Sequence, residues 1–325
     1  MKKSVFAAAA VMAMGLLSGA AVAETVLIHG EAGPNRGARA KALQWFADEV
    51  GARSNGDLKY DIQWGGALFK ANAALQSVAD GVADSGTVIA VYYPQEMSVY
   101  GIADLPFENP DAWVGMRATD EFMRTNEGAI QDLANKNLVY IGTFTTSAVH
   151  IGCKGGAIRN VDDIKGKKVR GTGAYGKVFG ELGANMVSMS IYKAYQGLDT
   201  GLIDCSQGYS YAMNALKQYE VVDSYTLLNW GQVGGVGLFM NKDVYDGLSD
   251  SQKDIIMTTG RDMSDYFGKI LTAANEAAVA NMAKGVDGRK VEIIELPAEE
   301  RAKLVAAGEK YLGAWKDQVG KAGMD

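Results

Sequence analysis

Histidine and cysteine are scarce in this chain: two of each in 325 residues, His29 and His150, Cys153 and Cys205. Neither histidine stands at a metal-ligand spacing from a cysteine, so a zinc-type site is not expected, and no other metal or cofactor is implied. The patterns G-x-S-x-G, H-E-x-x-H and G-x-x-x-x-G-K-[ST] are all missing. That removes the nucleophile elbow, the zinc-protease helix and the phosphate loop. A Ser-His-Asp arrangement would have to use His29 or His150, and no serine sits in an elbow. Blocks of basic residues are missing too, and the formal net charge is -6. A nucleic-acid partner is therefore not expected. With only five prolines, there is no Pro-rich hinge; there is also no internal repeat and no low-complexity linker.

The one apolar run is at the N-terminus, roughly Val5 to Leu17, short of the ~20 residues a membrane span needs. Lys2 and Lys3 precede it, and Ala21-Val22-Ala23 follows as a small-x-small cleavage site. This is the pattern of a secretory leader over residues 1–23. It predicts a periplasmic mature protein that starts at Glu24 and is not embedded in a membrane. About 300 residues remain, enough for two domains or one large one. Export also sets the redox context. A disulfide between Cys153 and Cys205 is the default there, and two buried free thiols are the alternative.

The apolar pattern alternates between strand and helix. Thr25 to Gly30 reads as a strand. EAGPNRGARAKALQWFADEVGARSNG follows, with Ala42, Leu43, Phe46 and Val50 at helical spacing. Leu58 to Ile62 is a second strand, ANAALQSVADGVAD a second helix, and Thr87 to Val91 a third strand. This β-α-β-α-β order predicts an α/β domain with a mostly parallel sheet. Residues from Asp111 to Asn135 are helical in pattern. The α/β pattern restarts after about residue 145: strands at Val149–Gly152, Lys168–Arg170, Met186–Ile191 and Leu202–Cys205, with helices at Ala174–Leu182 and Tyr192–Thr200. Val236–Met240 is one more strand. From Leu248 onward little interrupts a helix for over 30 residues.

Gly171-Thr172-Gly173-Ala174-Tyr175-Gly176 is a literal G-x-G-x-x-G. A dinucleotide fingerprint also needs a second strand ending in Asp or Glu about 20 residues further on. Met186 to Ser190 ends in no acid, and an exported chain has little access to free NAD. The glycines then do no more than make a tight turn. Arg170, just before them, closes a short apolar strand, and ligands of open α/β sheets bind beyond the carboxyl ends of strands. A guanidinium there offers a fixed fork of donors that matches a carboxylate.

Asp162-Asp163-Ile164-Lys165-Gly166-Lys167-Lys168-Val169-Arg170 resembles the D-D-L-K-G-L-K-I-R segment of the solute-binding proteins of tripartite ATP-independent periplasmic (TRAP) transporters, the DctP family. Tyr100 to Phe107 is similar to that family's hydrophobic-x-D-L-P-F segment. Tyr192 to Asp204 is similar to its E-x-Y-x-A-L-Q-T-G-x-V-D helix and strand. Tyr219-Glu220-Val221-Val222 and Asn229 match its Y-E-V and T-N-H segments in order. The resemblance covers most of the chain beyond the leader. It implies two α/β lobes around a closing cleft, with a long helix across both. Lobe I would comprise 24–147 plus 235–275, and lobe II 148–234 plus 276–325. It further implies binding without catalysis, a carboxylate held by Arg170, and delivery of the ligand to membrane permease subunits. A secreted enzyme, or a sensor subunit that docks on a receptor kinase, is the alternative.

The chain departs from the family where His150 stands in place of a second arginine. It departs again at Gln207-Gly208-Tyr209, where many members carry an asparagine that touches ligand. A single carboxylate is then left for Arg170. Aromatic residues gather near the expected cleft: Trp64, Tyr92, Tyr93, Tyr175, Tyr209, Tyr211 and Trp230. Glu31 follows the first strand, either as a cleft residue or as an acid at a helix start. One arginine, one glutamate and aromatic walls suit a zwitterion such as dimethylsulfoniopropionate, ectoine or a betaine, with rings and Glu31 on the cationic end. An aromatic monocarboxylate suits them nearly as well.

Overall fold

The computed structural model describes residues 24–107, 111–286 and 288–321; the leader expected over 1–23 lies outside them. The elements are β1 (Thr25–Gly30), α1 (Gly37–Arg53), β2 (Leu58–Gln63), α2 (Ala74–Ala79), β3 (Ser85–Ile89), α3 (Ala112–Thr125), α4 (Glu127–Ala134), β4 (Leu138–Phe144), β5 (Ala148–Cys153), β6 (Lys168–Arg170), α5 (Gly173–Glu181), β7 (Asn185–Val187), α6 (Ala194–Asp199), β8 (Cys205–Gly208), α7 (Ser210–Ala215), β9 (Ser224–Gln232), β10 (Val236–Asn241), α8 (Lys242–Gly247), α9 (Asp250–Lys284), β11 (Glu292–Glu295), α10 (Ala298–Gly308) and α11 (Lys310–Lys321).

The strands form two mixed sheets, of order β2-β1-β3-β10-β4 and β11-β9-β5-β8-β6-β7. In the first, β1 pairs in parallel with β2 and β3, and β10 runs antiparallel between β3 and β4. In the second, β6 lies parallel to β7 and β8, while β5 is antiparallel to β8 and β9. The chain passes from one sheet to the other at residues 145–147 and returns at 233–235. The expected α/β class with two sheets is what the chain forms.

Local patterning explains the first sheet. Leu43, Phe46 and Val50 recur on one face of α1 and pack with Leu27, Leu58 and Tyr60 of the sheet. The rings of Phe46 and Tyr60 meet edge to face at 5.0 Å. The long helix α9 has defined ends. Ser249 and Gln252 form a capping box at its start, and Gly285 at φ 106° stops it. It has no proline along 35 residues. Its middle packs Phe267 against Phe144 of β4, and its C-terminal end packs Met282 with Tyr225 of β9. One helix therefore touches both sheets.

Three expectations are corrected. The strand placed at Leu202–Cys205 begins instead at Cys205, because the chain is still turning at Gly201, where φ is 73°. The strand placed at Met186–Ile191 stops at Val187; Ile191 to Lys193 form a short 3-10 turn into α6. The third strand stops at Ile89, and Ala90 to Tyr92 turn away. Cys153 and Cys205 face each other in the β5–β8 register and are disulfide-bonded.

Candidate functional site

The carboxyl ends of β1, β3, β6 and β8 converge on a cavity with about 60 Å³ open to the centres of water molecules. From the side of the first sheet it is lined by Arg36 just before α1, Arg39 of α1, and Val91 and Tyr92 beyond β3. From the side of the second it is lined by Arg170, Thr172, Tyr192, Tyr209 and Tyr211. The rest of the wall is largely aliphatic: Ile89, Ile191, Ala212, Ala215, Leu216, Val233 and Val236.

Arg170 ends β6 and is 1% exposed. Its Nε donates to the Met189 carbonyl at 3.1 Å, one Nη to the Gln207 carbonyl at 3.2 Å, and the other to the Tyr92 hydroxyl at 3.3 Å. All three partners are neutral. Among the described residues no carboxylate lies within ion-pair distance of this guanidinium. A buried cation of this kind is costly unless an anion joins it.

The G-x-G-x-x-G turn shapes the wall beside it. A Cβ on Gly176 would lie 2.7 Å from the Gly171 carbonyl carbon, so strand end and helix touch there through bare backbone. Gly173 takes φ 61°, a conformation that glycine adopts without strain. This turn presents Thr172 at the start of α5. The Thr172 amide donates to Gln207 Oε1 at 2.8 Å. Its buried Oγ1 has no hydrogen-bond partner in the described structure. A free hydroxyl at a helix N-terminus, beside the buried Arg170 guanidinium, is a ready hydrogen-bond donor to an anionic oxygen.

The phenols complete the polar set. Gln207 Nε2 donates to the Tyr209 hydroxyl at 3.1 Å, which leaves that O–H free to donate. Burial pushes the Tyr209 and Tyr211 phenols above their ordinary range, against a smaller opposing pull from Arg170 on the first and Arg39 on the second. Both stay protonated donors at neutral pH.

Glu31 is 1% exposed and lies behind Arg39. Arg39 donates to both its oxygens, at 2.7 and 3.0 Å, and the Gly33 amide donates to Oε1 at 2.5 Å. Burial would raise the Glu31 carboxyl, but Arg39 and the Gly33 amide together hold it below its ordinary value. Two contacts bridge the sides of the cavity: Arg39 Nη2 donates to the Tyr192 hydroxyl at 2.8 Å, and Arg36 Nε to the Ala215 carbonyl at 2.7 Å.

Of the residues expected at the site, Arg170, Tyr209 and Tyr211 line the cavity, and Gln207 braces it from behind. Five others lie outside its lining. His150 is buried on β5 against Tyr225, and its Nδ1 accepts from the Asn229 amide at 3.4 Å. The Tyr93 hydroxyl donates to the Ala71 carbonyl at 2.7 Å, and that of Tyr175 to the Gln232 carbonyl at 2.7 Å. Trp230 is fully buried against Tyr175, and Trp64 packs on the core. Arg36, Arg39, Thr172 and Tyr192 were not singled out by sequence. Tyr92, named among the aromatics near the expected cleft, lines the cavity.

Two sheets joined by crossing segments, with the buried Arg170 guanidinium in the cleft between them, define a two-lobed α/β protein. The profile of the bacterial extracellular solute-binding proteins, family 7 (DctP), matches residues 29–318, and the chain belongs to that family, the solute-binding proteins of TRAP transporters. A solute-binding protein of Albidiferax ferrireducens is 25% identical over 290 residues, covering 86% of this chain and 78% of that one. An extracytoplasmic solute receptor of Bordetella pertussis, solved binding pyroglutamic acid, has a TM-score of 0.82 at 21% identity over 91% of this chain and 96% of its own. A TRAP periplasmic solute-binding protein of Rhodoferax ferrireducens, solved with malonate, has a TM-score of 0.74 at 22% identity over 87% and 90%.

Proposed function

We propose that this protein is exported to the periplasm, captures a small organic carboxylate without chemical change, and hands it to TRAP permease subunits. The observation that carries the proposal is Arg170: a buried guanidinium whose three partners are all neutral. A ligand carboxylate would supply the missing anion, with Thr172 Oγ1 and the Tyr209 hydroxyl as further donors. Residues 24–147 plus 235–275 and residues 148–234 plus 276–325 would act as lobes that swing about the crossings and close on ligand. The Arg39–Tyr192 and Arg36–Ala215 contacts suit such a closed form.

The polar set favours a monocarboxylate over a zwitterion. A cationic ligand end would need Glu31, and Arg39 already occupies both its oxygens.

Thermal denaturation against a panel of monocarboxylates, dicarboxylates and betaines tests this. A ligand at 100 times its dissociation constant adds about 2.7 kcal/mol of stability. The expected result is a shift with a monocarboxylate that Arg170→Ala abolishes. Equal shifts in the wild type and in Arg170→Ala would remove the role given to Arg170.

A further inference from the structure

Arg39 is a second guanidinium in the wall of the cavity, yet it is not available to an anion. Its Nη1 is 2.7 Å from Glu31 Oε2, and its Nη2 is 3.0 Å from Oε1, so the fork is filled. The pairing is built in. Glu31 is fastened at the end of β1 by the Gly33 amide. A Cβ at position 33 would fall 2.3 Å from Arg39 Nη2 and 2.9 Å from Glu31 Oε1, so only glycine lets the pair close beside this loop. The other side of Arg39 Nη2 reaches the Tyr192 hydroxyl across the cleft. Glu31 and Arg39 together contribute no net charge; Arg36 is exposed, so water and salt screen its charge, and Arg170 contributes the one buried unpaired positive charge.

We propose that Glu31 sets the charge of the ligand: by filling the fork of Arg39 it leaves the cavity one buried anion-binding guanidinium, so the pocket favours a monoanion over a dianion. This rests on the reading that Arg170 holds a ligand carboxylate. Removing the Glu31 charge opens a second fork. Removing the Arg39 charge leaves a lone buried carboxylate that would accept a ligand ammonium group. Each change predicts a different new preference, and removing both predicts a return to the original one.

The test is calorimetric titration with propionate, malonate, butyrate, succinate and β-alanine. In the wild type, propionate and butyrate should bind at least tenfold tighter than malonate and succinate. Glu31→Gln should move that ratio at least tenfold toward the diacids. Arg39→Met should move the ratio of β-alanine to propionate at least tenfold toward β-alanine. The double variant Glu31→Gln/Arg39→Gln should restore the wild-type order. Should Glu31→Gln fail to fold, as a melting curve would report, Arg39→Met and the double variant still carry the test. Diacids bound by the wild type as tightly as monoacids, or ratios unmoved in the variants, would overturn the proposal. Binding retained in Arg170→Ala would overturn the carboxylate grip instead, and the ratios would still report on Glu31. No binding of any of the five by the wild type would overturn both.

Discussion

Thr172 shows how much one residue in the cleft carries. Its hydroxyl is buried and unpartnered, so it contributes nothing to the empty fold and is poised for a ligand oxygen. Thr172→Val keeps the shape and removes the hydroxyl. Unfolding stability should stay level or rise, because an unsatisfied polar group is gone, while ligand affinity should fall by about 0.5–1.5 kcal/mol. Denaturant melts and titration of the same samples check both, and a loss of stability without a loss of affinity would remove its role. Arg170 was legible because it closes a recognisable segment at a strand end. Thr172 hid inside the glycine turn beside it. Arg39 was hidden because Arg36 at the cap of α1 and Arg39 and Arg53 within it are all candidates, and spacing does not say which of them meets a carboxylate across a loop. Glu31 was legible as a residue of this region but not as a partnered one, since its partner is set by the fold of residues 31–39.

At the scale of elements, the helices were read well wherever periodicity and caps agree, as in α1 and α9. The strands β9 and β11 were not. In β9, Asn229 and Gly231 take φ of 47° and 53° and break the alternation that marks a strand. β11 is only four residues long and pairs at the sheet edge with β9 alone. Close approach between elements is equally silent in sequence. A Cβ on Gly260 of α9 would lie 2.1 Å from the Ile141 carbonyl oxygen of β4. Gly260→Ala should therefore cost about 1–3 kcal/mol by overpacking; no loss in a urea melt would mean that α9 slides freely on β4. The Cys153–Cys205 bridge ties β5 to β8 across a sequence separation of 52 residues. Restriction of the unfolded chain by a loop of that length contributes about 4 kcal/mol. Reduction should lower the unfolding free energy from urea melts by that amount, while the double variant Cys153→Ala/Cys205→Ala should melt alike with and without reductant.

At the scale of the whole molecule, stability against acid is set by three buried groups of opposing sign. Burial lowers His29 to about 4 and His150 to about 3, and raises Asp104 to about 7. The two imidazoles are neutral when folded: His29 rests between the Ser85 and Thr87 hydroxyls. Their folded values lie below the unfolded 6.5, so the stability they hold is complete above pH 6.5 and is lost as pH falls toward 4 and 3. Asp104 runs the other way. It lies under the crossing segment, where Oδ1 accepts from the Gly235 amide and Oδ2 has no hydrogen-bond partner among the described residues. Its folded value lies above the unfolded one, so the folded state gains stability as pH falls through 7. The unfolded imidazoles are half protonated at pH 6.5, so the two histidines together lose about 3 kcal/mol between pH 6.5 and 5, and Asp104 offsets about 2. The wild type should lose about 1 kcal/mol over that interval, and Asp104→Asn, which removes the offset, about 3. Any fixed cost of the amide cancels, because only the difference between the two pH values is compared. Urea melts of both proteins at pH 6.5 and 5 give the four numbers, and an equal loss in the two would mean that Asp104 does not take up a proton in this interval.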